Sequence, residues 1–177
     1  PLPHRPPPPP ARLLAQTPQP VANPDPQKKT ASCEAVSASA ASRLLVVVVG
    51  GWHVGVAINI GTIVCLEGRV LGKPHDIEEA TAMLHLLSGK EHEVVTAFTL
   101  NTVNRVVKKA VSTRVRFAPL TDEEINYYVT EFLPFDKAGS YGIQEWIGMA
   151  AVEEIYGSYF NVIGLPIQRL YQALKDF

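Results

Sequence analysis

Apolar residues recur at helical spacing in two segments of the chain, and each segment begins with a capping signal. In DIEEATAMLHLLSG, Asp76 precedes Glu79 by three positions, which is the spacing of a capping box, and Gly89 supplies a stop signal. The segment LTDEEINYYVTEF repeats this spacing with Thr121 and Glu124. The apolar positions that follow each cap lie on one helical face. Two amphipathic helices are therefore predicted.

Strand-like patterns surround these helices. The segment RLLVVVVGGWHVGVAINIG is interrupted by glycine, histidine and asparagine before about 18 continuous apolar residues accumulate, so it predicts a buried strand with a glycine turn rather than a membrane span. A strand is also expected from Thr62 onward. HEVVTAFTLNT is rich in β-branched residues, and AVSTRVRF alternates apolar and polar positions as a half-buried strand does.

The last third of the chain adds a loop, a strand and a helix. The run PFDKAGSYGIQEW is prone to turns because it holds proline and two glycines. MAAVEEIYG is strand-like, and LPIQRLYQALKDF predicts a helix with Pro166 at its first position. The order β, α, β, β, α, loop, β, α predicts an α/β domain with a mixed sheet.

The composition changes sharply along the chain. The first 26 residues hold 11 of the 15 prolines, which lack the backbone donors that helices and sheets require. The following residues, to about position 42, are rich in Ala, Ser, Gln and Lys and have few large apolar side chains to offset the entropy of ordering. We predict an irregular or disordered tail over residues 1–42 and one globular domain over residues 43–177.

The charge balance and the cysteine content limit which partners and which compartment are expected. Sixteen Lys and Arg against 17 Asp and Glu give no charge excess that would favour nucleic acid or an anionic membrane as partner. No charged start followed by an apolar run lies at the N-terminus, so a signal peptide is not expected. Cys33 and Cys65 form neither a disulfide framework nor a metal-ligand spacing, which favours a reducing compartment. A cytoplasmic protein is predicted.

Four segments resemble the Maf family of nucleoside triphosphate pyrophosphatases in their order and spacing. They are TIVCLEGRVLGKPHDIEEATAMLHLLSGKEHEVVTAF, VRFAPLTDEEINYYV, PFDKAGSYGIQEW and GSYFNVIGLPIQRLY, and the resemblance covers residues 62–177. It implies a Maf/ITPase-like, two-lobed α/β fold with a cleft and an elongated mixed sheet flanked by helices. It also implies hydrolysis of a nucleoside triphosphate to a monophosphate and pyrophosphate, in a protein that is often a homodimer. The pattern DKAG.YGIQ resembles the subgroup that prefers dTTP and UTP, and modified pyrimidine nucleotides are further candidates.

The resemblance implies roles for five residues. Lys73 and Lys137 would bind phosphate, and Asp136 would assist a divalent cation, Mg²⁺ or Mn²⁺, or orient a lysine. Thr62 and Gln144 would shape substrate preference. Lys73 and Asp136 are the expected catalytic residues.

These residue types suit the chemistry. An ammonium group neutralises phosphate charge, Mg²⁺ takes only one or two protein carboxylates beside substrate phosphates, and a glutamine amide can pair with the imide edge of uracil or thymine. Without the resemblance, Lys73 and the pair Asp136 and Lys137 would be assigned to solvated turns.

The chain departs from the family pattern before Thr62. The family's Ser-x-Ser-Pro-Arg-Arg phosphate loop has only a faint echo in SASAASRLL, and Gly61 stands where the family has an aspartate that resembles a catalytic base or metal ligand. A segment read in a wrong frame, engineered, misassigned or truly diverged would each give this break. We therefore expect a catalytically impaired chain unless Glu67 or Asp136 supplies the base. The alternative is a nucleotide-binding or interaction module without catalysis, whose tail RPPPPPAR is a ligand for aromatic grooves.

Overall fold

The computed structural model describes residues 43–48, by their backbone alone, and residues 55–176. The predicted tail, residues 1–42, lies outside the described residues, and so does the predicted glycine turn between the first two strands. The described elements are β1 (Arg43–Val48), β2 (Gly55–Leu66), β3 (Arg69–Leu71), α1 (Ile77–Leu87), β4 (Glu91–Asn101), β5 (Val106–Phe117), α2 (Asp122–Phe132), a 3₁₀ turn (Ala138–Ser140), α3 (Trp146–Ala150), β6 (Val152–Tyr156), α4 (Tyr159–Ile163) and α5 (Ile167–Lys175).

The strands form one sheet in the order β1, β2, β4, β5, β6, and the short β3 pairs with the end of β2. Every pairing between described strands is antiparallel. The predicted α/β class, a sheet flanked by helices, is confirmed, although the parallel part of a mixed sheet does not occur among these pairings. The long strands β2 and β4 pair from Ala57 opposite Asn101 to Cys65 opposite Glu93, so they are hydrogen-bonded to each other along most of their length.

Both predicted helix starts are confirmed. At α1 the Asp76 side chain accepts a hydrogen bond from the Glu79 backbone N–H at 2.8 Å. At α2 the box is reciprocal, because Thr121 Oγ1 accepts from the Glu124 N–H and Glu124 Oε2 accepts from the Thr121 N–H. These bonds satisfy donors that the first turn of a helix leaves without partners. Each helix therefore begins where its sequence signal lies.

The helices cover one face of the sheet in two apolar clusters. At one end α1 and α2 pack on β2, β4 and β5 through residues such as Leu84, Val94 and Tyr128. At the other end α5 packs on β2 and β4, and Phe98 and Leu170 belong to that cluster. The even-numbered positions of β2 and β4 supply both clusters, because alternate side chains share a face. Midway along these strands the apolar pattern gives way to threonines.

Four details differ from the sequence prediction. The strand expected from Thr62 begins earlier, at Gly55. Only the second half of MAAVEEIYG is a strand, because the chain first forms α3 and β6 starts at Val152. Pro166 is the N-cap of α5 and not its first residue. The expectation of unpaired cysteines is wrong at Cys65, which is disulfide-bonded.

The longest described helices have 11 residues. Within residues 55–176, none combines the length and apolar composition needed to cross a bilayer.

Candidate functional site

A cleft of about 650 Å³ lies beside the middle of β2. Among the described residues, the pairing of this strand with β1 reaches Ile60, and its pairing with β3 begins at Val64. The stretch between these two pairings forms one wall of the cleft, and the loop after α2 and the end of α4 complete it. All five predicted site residues line this cleft: Thr62, Lys73, Asp136, Lys137 and Gln144.

The loop after α2 lies against β2 because a glycine stands at the contact. Gly139 has a φ of +68°, and its N–H donates to the Gly72 carbonyl at 2.9 Å. A Cβ at this position would lie 2.8 Å from Val64 Cγ2, closer than real Cβ atoms come to a neighbour. The glycine therefore permits both the left-handed conformation and the close approach. This contact joins the segment of Lys73 to the loop that carries Lys137.

An ion-pair network lies on this loop. Lys137 Nζ is 2.7 Å from Asp136 Oδ1 and 3.0 Å from Glu145 Oε1. Lys137 and Glu145 are about one fifth exposed, at 20% and 21%, whereas Asp136 is 69% exposed. The cleft thus holds one cation between two carboxylates, one enclosed and one facing solvent.

Lys137 and Asp136 keep their charges at neutral pH. Burial lowers the pKa of Lys137, but hydrogen bonds to Asp136 and Glu145 outweigh burial and raise it above its usual value. The hydrogen bond from Lys137 holds the pKa of Asp136 below its usual value. Lys137 therefore remains an ammonium and Asp136 a carboxylate, as phosphate and metal binding require.

The cleft face of Thr62 has a defined hydrogen-bond polarity. Thr96 Oγ1 donates its one proton to the Asn161 carbonyl at 2.9 Å, because a carbonyl can only accept. The contact of 2.9 Å between the hydroxyls of Thr62 and Thr96 must then use the proton of Thr62. Thr62 Oγ1 is left with lone pairs alone. It can accept a hydrogen bond from an N–H or O–H of a ligand, but it cannot donate one to a phosphate oxygen.

Gly61 also lines the cleft, opposite Ala97 in the pairing of β2 with β4. Glu67 does not line the cleft. It lies in the exposed turn after β2, where its φ is +52°. The carboxylates that line the cleft among the described residues are Asp136 and Glu145. Glu67 is therefore a poor replacement for the missing aspartate.

The donor set fits a metal ion that is shared with a ligand. No group of three or more His, Cys, Asp or Glu side chains suited to a metal occurs in the described part of the chain. Mg²⁺ commonly takes one or two carboxylates and completes its shell with water and substrate phosphates. The exposed Asp136 suits that arrangement, whereas Glu145 is enclosed by protein contacts.

Two residues of the site were missed by sequence reasoning. Glu145, which follows Gln144 directly, and Tyr128 on the predicted second helix were given no role in the site. The Tyr128 hydroxyl donates a short hydrogen bond to Glu145 Oε2 and so reaches the cleft network. No sequence signal distinguishes such a tyrosine from Tyr127 beside it, apart from the buried face of the helix.

Comparison with known proteins gives one family. A model of the family described as Maf-like protein matches residues 12–177, so the matched range begins upstream of Thr62. A dTTP/UTP pyrophosphatase of Phocaeicola vulgatus is 56% identical over 118 residues, which cover 67% of this chain and 61% of the relative. Proteins with the same name from Parabacteroides distasonis and Porphyromonas gingivalis are 53% and 50% identical over 120 residues, covering 68% of this chain and 62% and 60% of the relatives. The match spans about three fifths of each relative's length.

Proposed function

The chain belongs to the Maf family, and from this membership we propose that it is a nucleoside triphosphate pyrophosphatase of the kind that prefers dTTP and UTP. Hydrolysis would occur between the α and β phosphates and release pyrophosphate. The observation that carries the proposal is the cleft, where two lysines and a carboxylate lie with a threonine and a glutamine. The relatives named dTTP/UTP pyrophosphatase support the choice of pyrimidine nucleotides.

The phosphate half of the substrate is assigned to the charged residues. Lys73 and Lys137 bind phosphate oxygens and offset the negative charge that spreads in the transition state. Asp136 holds Mg²⁺ or Mn²⁺ together with the substrate, and the ion supplies Lewis-acid stabilisation of the phosphates when bound. The raised pKa of Lys137 keeps this cation charged throughout the neutral range.

The nucleoside half is assigned to the polar residues. Gln144 is exposed and carries both a donor and an acceptor, so it can pair with the imide edge of the base. Thr62 accepts a hydrogen bond from an N–H or O–H of the nucleoside. Release of pyrophosphate, measured over a panel of nucleotides, tests the substrate class. Preference for a purine triphosphate, with selectivity unchanged in Gln144→Ala, would contradict it.

Gly61 is expected to limit the rate. A glycine offers no side chain to accept a proton from water, and loss of a general base typically costs about 10²- to 10⁴-fold in rate. We expect Gly61→Asp to raise the rate of pyrophosphate release by at least about 100-fold with Mg²⁺ present. Gly72→Asp is the matched control, because it adds the same charge to the cleft at a point with open space around it. It should give no gain.

Two outcomes would revise this assignment. An unmodified chain that turns over at about 1 per second or faster would show that another carboxylate, such as Asp136, supplies the base. If Gly61→Asp restores nothing, the missing Ser-x-Ser-Pro-Arg-Arg loop is the deeper defect, because the scissile bond must also be aligned.

The second candidate function is nucleotide binding without catalysis, and Gly61 is the observation that favours it. Binding of UTP with no pyrophosphate release in any variant would support this alternative. A pull-down that depends on residues 5–12 would assign the proline-rich tail to a partner, and these residues lie outside the described part of the chain.

The assembly and the location of the protein are further proposals. A homodimer and the absence of a nucleic-acid partner are carried over from the sequence prediction, and sedimentation with and without UTP tests the dimer. A cytoplasmic location is also carried over, although the disulfide at Cys65 does not favour a reducing compartment. Cell fractionation tests the location.

A further inference from the structure

Tyr128 is a core residue of α2 whose hydroxyl takes part in the cleft network. The side chain is fully buried, with 0% of its surface exposed, and its ring stacks on Phe132 with centroids 5.0 Å apart. Its oxygen accepts a hydrogen bond from the Gly142 N–H at 3.0 Å and donates to Glu145 Oε2. One hydroxyl therefore ties two points of the cleft loop to a rigid helix.

Glu145 links Tyr128 to Lys137. Its Oε2 is taken by Tyr128, and its Oε1 lies 3.0 Å from Lys137 Nζ. Both oxygens of this carboxylate are thus engaged by protein groups. Glu145 is therefore a support for the lysine and not a free ligand or base.

Gly142 lies directly against the side chains of Glu145 and Lys137. A Cβ on this glycine would lie 2.9 Å from both Glu145 Cδ and Lys137 Cε. The backbone of the loop therefore packs directly against the two side chains. Lys137 is held by Glu145 on one side, by the loop beneath it and by Asp136 through its ammonium group.

This geometry leaves one donor of the ammonium group for a ligand. A lysine ammonium has three N–H groups, and the two carboxylates accept two of them. A mobile lysine must give up side-chain freedom when it binds, whereas a lysine held in advance has already lost it.

We propose that Tyr128 is a positioning residue that acts through Glu145 to hold Lys137 ready for an anionic phosphate group of the substrate. The inference rests on the proposed function for the identity of that phosphate, whereas the remaining ammonium donor suits the oxygen of any compact anion. Burial, reinforced by the hydrogen bond to Glu145, raises the pKa of Tyr128, so the phenol stays neutral and remains a donor.

The test compares two neighbouring tyrosines in the full chain. Tyr128→Phe keeps the ring and removes the hydroxyl. Tyr127→Phe is the matched control, since Tyr127 is 49% exposed and packs by its ring on Phe132 and Trp146. The probes are inorganic tripolyphosphate and UTP, with uridine as a probe that lacks phosphate, and binding is measured by calorimetry.

We expect Tyr128→Phe to weaken the binding of tripolyphosphate and of UTP by roughly 10- to 150-fold, the scale of a hydrogen bond to a charged group. Uridine binding should not change, and Tyr127→Phe should match the unmodified chain. In a Lys137→Met background, Tyr128→Phe should cause no further loss, because its effect passes through the lysine. Glu145→Gln keeps the shape and should reproduce the loss, so it carries the test if Tyr128→Phe fails to fold.

Equal losses for uridine and polyphosphate, or an undiminished effect of Tyr128→Phe in the Lys137→Met background, would mean that the hydroxyl merely stabilises the fold. Either result overturns the proposal. Binding of tripolyphosphate without any pyrophosphate release counts against the proposed function alone, while the variants still decide this inference. Failure of the unmodified chain to bind any polyphosphate overturns both.

Discussion

Single residues set the chemistry of the cleft through the bonds that each makes behind it. Thr62 faces the cleft as an acceptor because Thr96 commits its proton to Asn161. The side-chain nitrogen of Asn161 lies 3.0 Å from the carbonyls of Val94 and Val111 and 3.1 Å from the hydroxyl of Thr113, and these three acceptors share its two N–H protons. The supporting residues are buried and polar, so each has a cost if its partner is lost. Removing one of these residues should therefore change the hydrogen bonding of the cleft.

Thr96→Val tests this polarity. The variant keeps the shape of Thr96 but removes the acceptor of Thr62, which is then free to rotate and to donate. We expect UTP to bind about 3- to 10-fold more weakly, the scale of one neutral hydrogen bond. Thr96→Ser retains the hydroxyl and should bind as the unmodified chain does. Normal binding of UTP to Thr96→Val in calorimetry would show that the hydrogen-bond direction between Thr62 and Thr96 does not control this site.

His92 should make the stability of the fold depend on pH. Burial lowers its pKa from 6.5 to about 4, and its Nε2 lies 2.8 Å from the Tyr141 hydroxyl. Between these two values the unfolded chain binds a proton that the folded chain does not. The free energy of unfolding therefore falls as the pH drops from 6.5 to about 4, by roughly 3 kcal/mol from this residue.

Urea unfolding at pH 7 and pH 4.5 measures this effect. His92→Gln cannot be protonated, so the variant should lose less stability between the two pH values than the unmodified chain does. The comparison uses the difference between pH values, which separates protonation from any packing cost of the substitution. An equal fall in both proteins would assign the acid sensitivity to other groups.

At the scale of elements, helix starts and loop contacts decide where the site residues lie. The capping box starts α2 at Asp122, and the helix then places Tyr128 against Glu145 of the cleft loop. The loop that follows is held to the segment beside β2 by the bond from Gly139 to Gly72. Residues from three parts of the chain thus meet at one cleft. The site depends on each element beginning and ending at the right residue.

Thr121→Ala should weaken α2 measurably. The substitution removes the side chain that accepts from the Glu124 N–H and leaves a first-turn donor to water. Loss of such a cap costs about 1 kcal/mol, within a range of 0.5 to 2. The midpoint of urea unfolding should fall accordingly, whereas Thr121→Ser, which also caps, should stay within a few tenths of a kcal/mol. An unchanged midpoint in Thr121→Ala would contradict the role of the cap.

At the scale of the whole molecule, two apolar clusters share one sheet face and leave a polar zone between them. The helix pair α1 and α2 covers one end, and α5 covers the other. The threonines of β2 and β4 lie between these clusters, where α4 supplies Asn161. The cleft is lined by residues that pack in both clusters, such as Val64 in one and Ile60 in the other, so a ligand bound there would bridge them. Its binding should stabilise the molecule as a unit.

UTP with Mg²⁺ should raise the thermal midpoint of the full chain. At a concentration 100 times the dissociation constant, a ligand that binds only the folded state adds about 2.7 kcal/mol. For a chain of this size that corresponds to a rise of roughly 5 to 10 °C. Lys137→Ala should lose most of the rise, and uridine at the same concentration should give less in the unmodified chain. Equal shifts with UTP and uridine would show that the phosphates do not bind the lysines.

The sequence by itself determined the elements that depend on local bonds. Both helix N-caps and the alternation of β5 were predictable, because their partners lie within a few residues or on the same strand. The sequence also brought Asp136, Lys137 and Gln144 together, since they lie in one turn-rich run. The start of β6 was misjudged, because α3 takes residues that suit either a short helix or a strand.

Only the tertiary structure decided how distant residues support the cleft. Tyr128 and Glu145 are 17 positions apart, and Thr62 and Thr96 are 34 positions apart. Nothing in a local pattern couples such pairs, because the register of β2 on β4 and the packing of α2 on the sheet bring them into contact. Sequence reasoning thus named side chains that line the cleft. The fold chose the buried hydroxyls that orient them, since a buried polar group must find its partner wherever packing puts one.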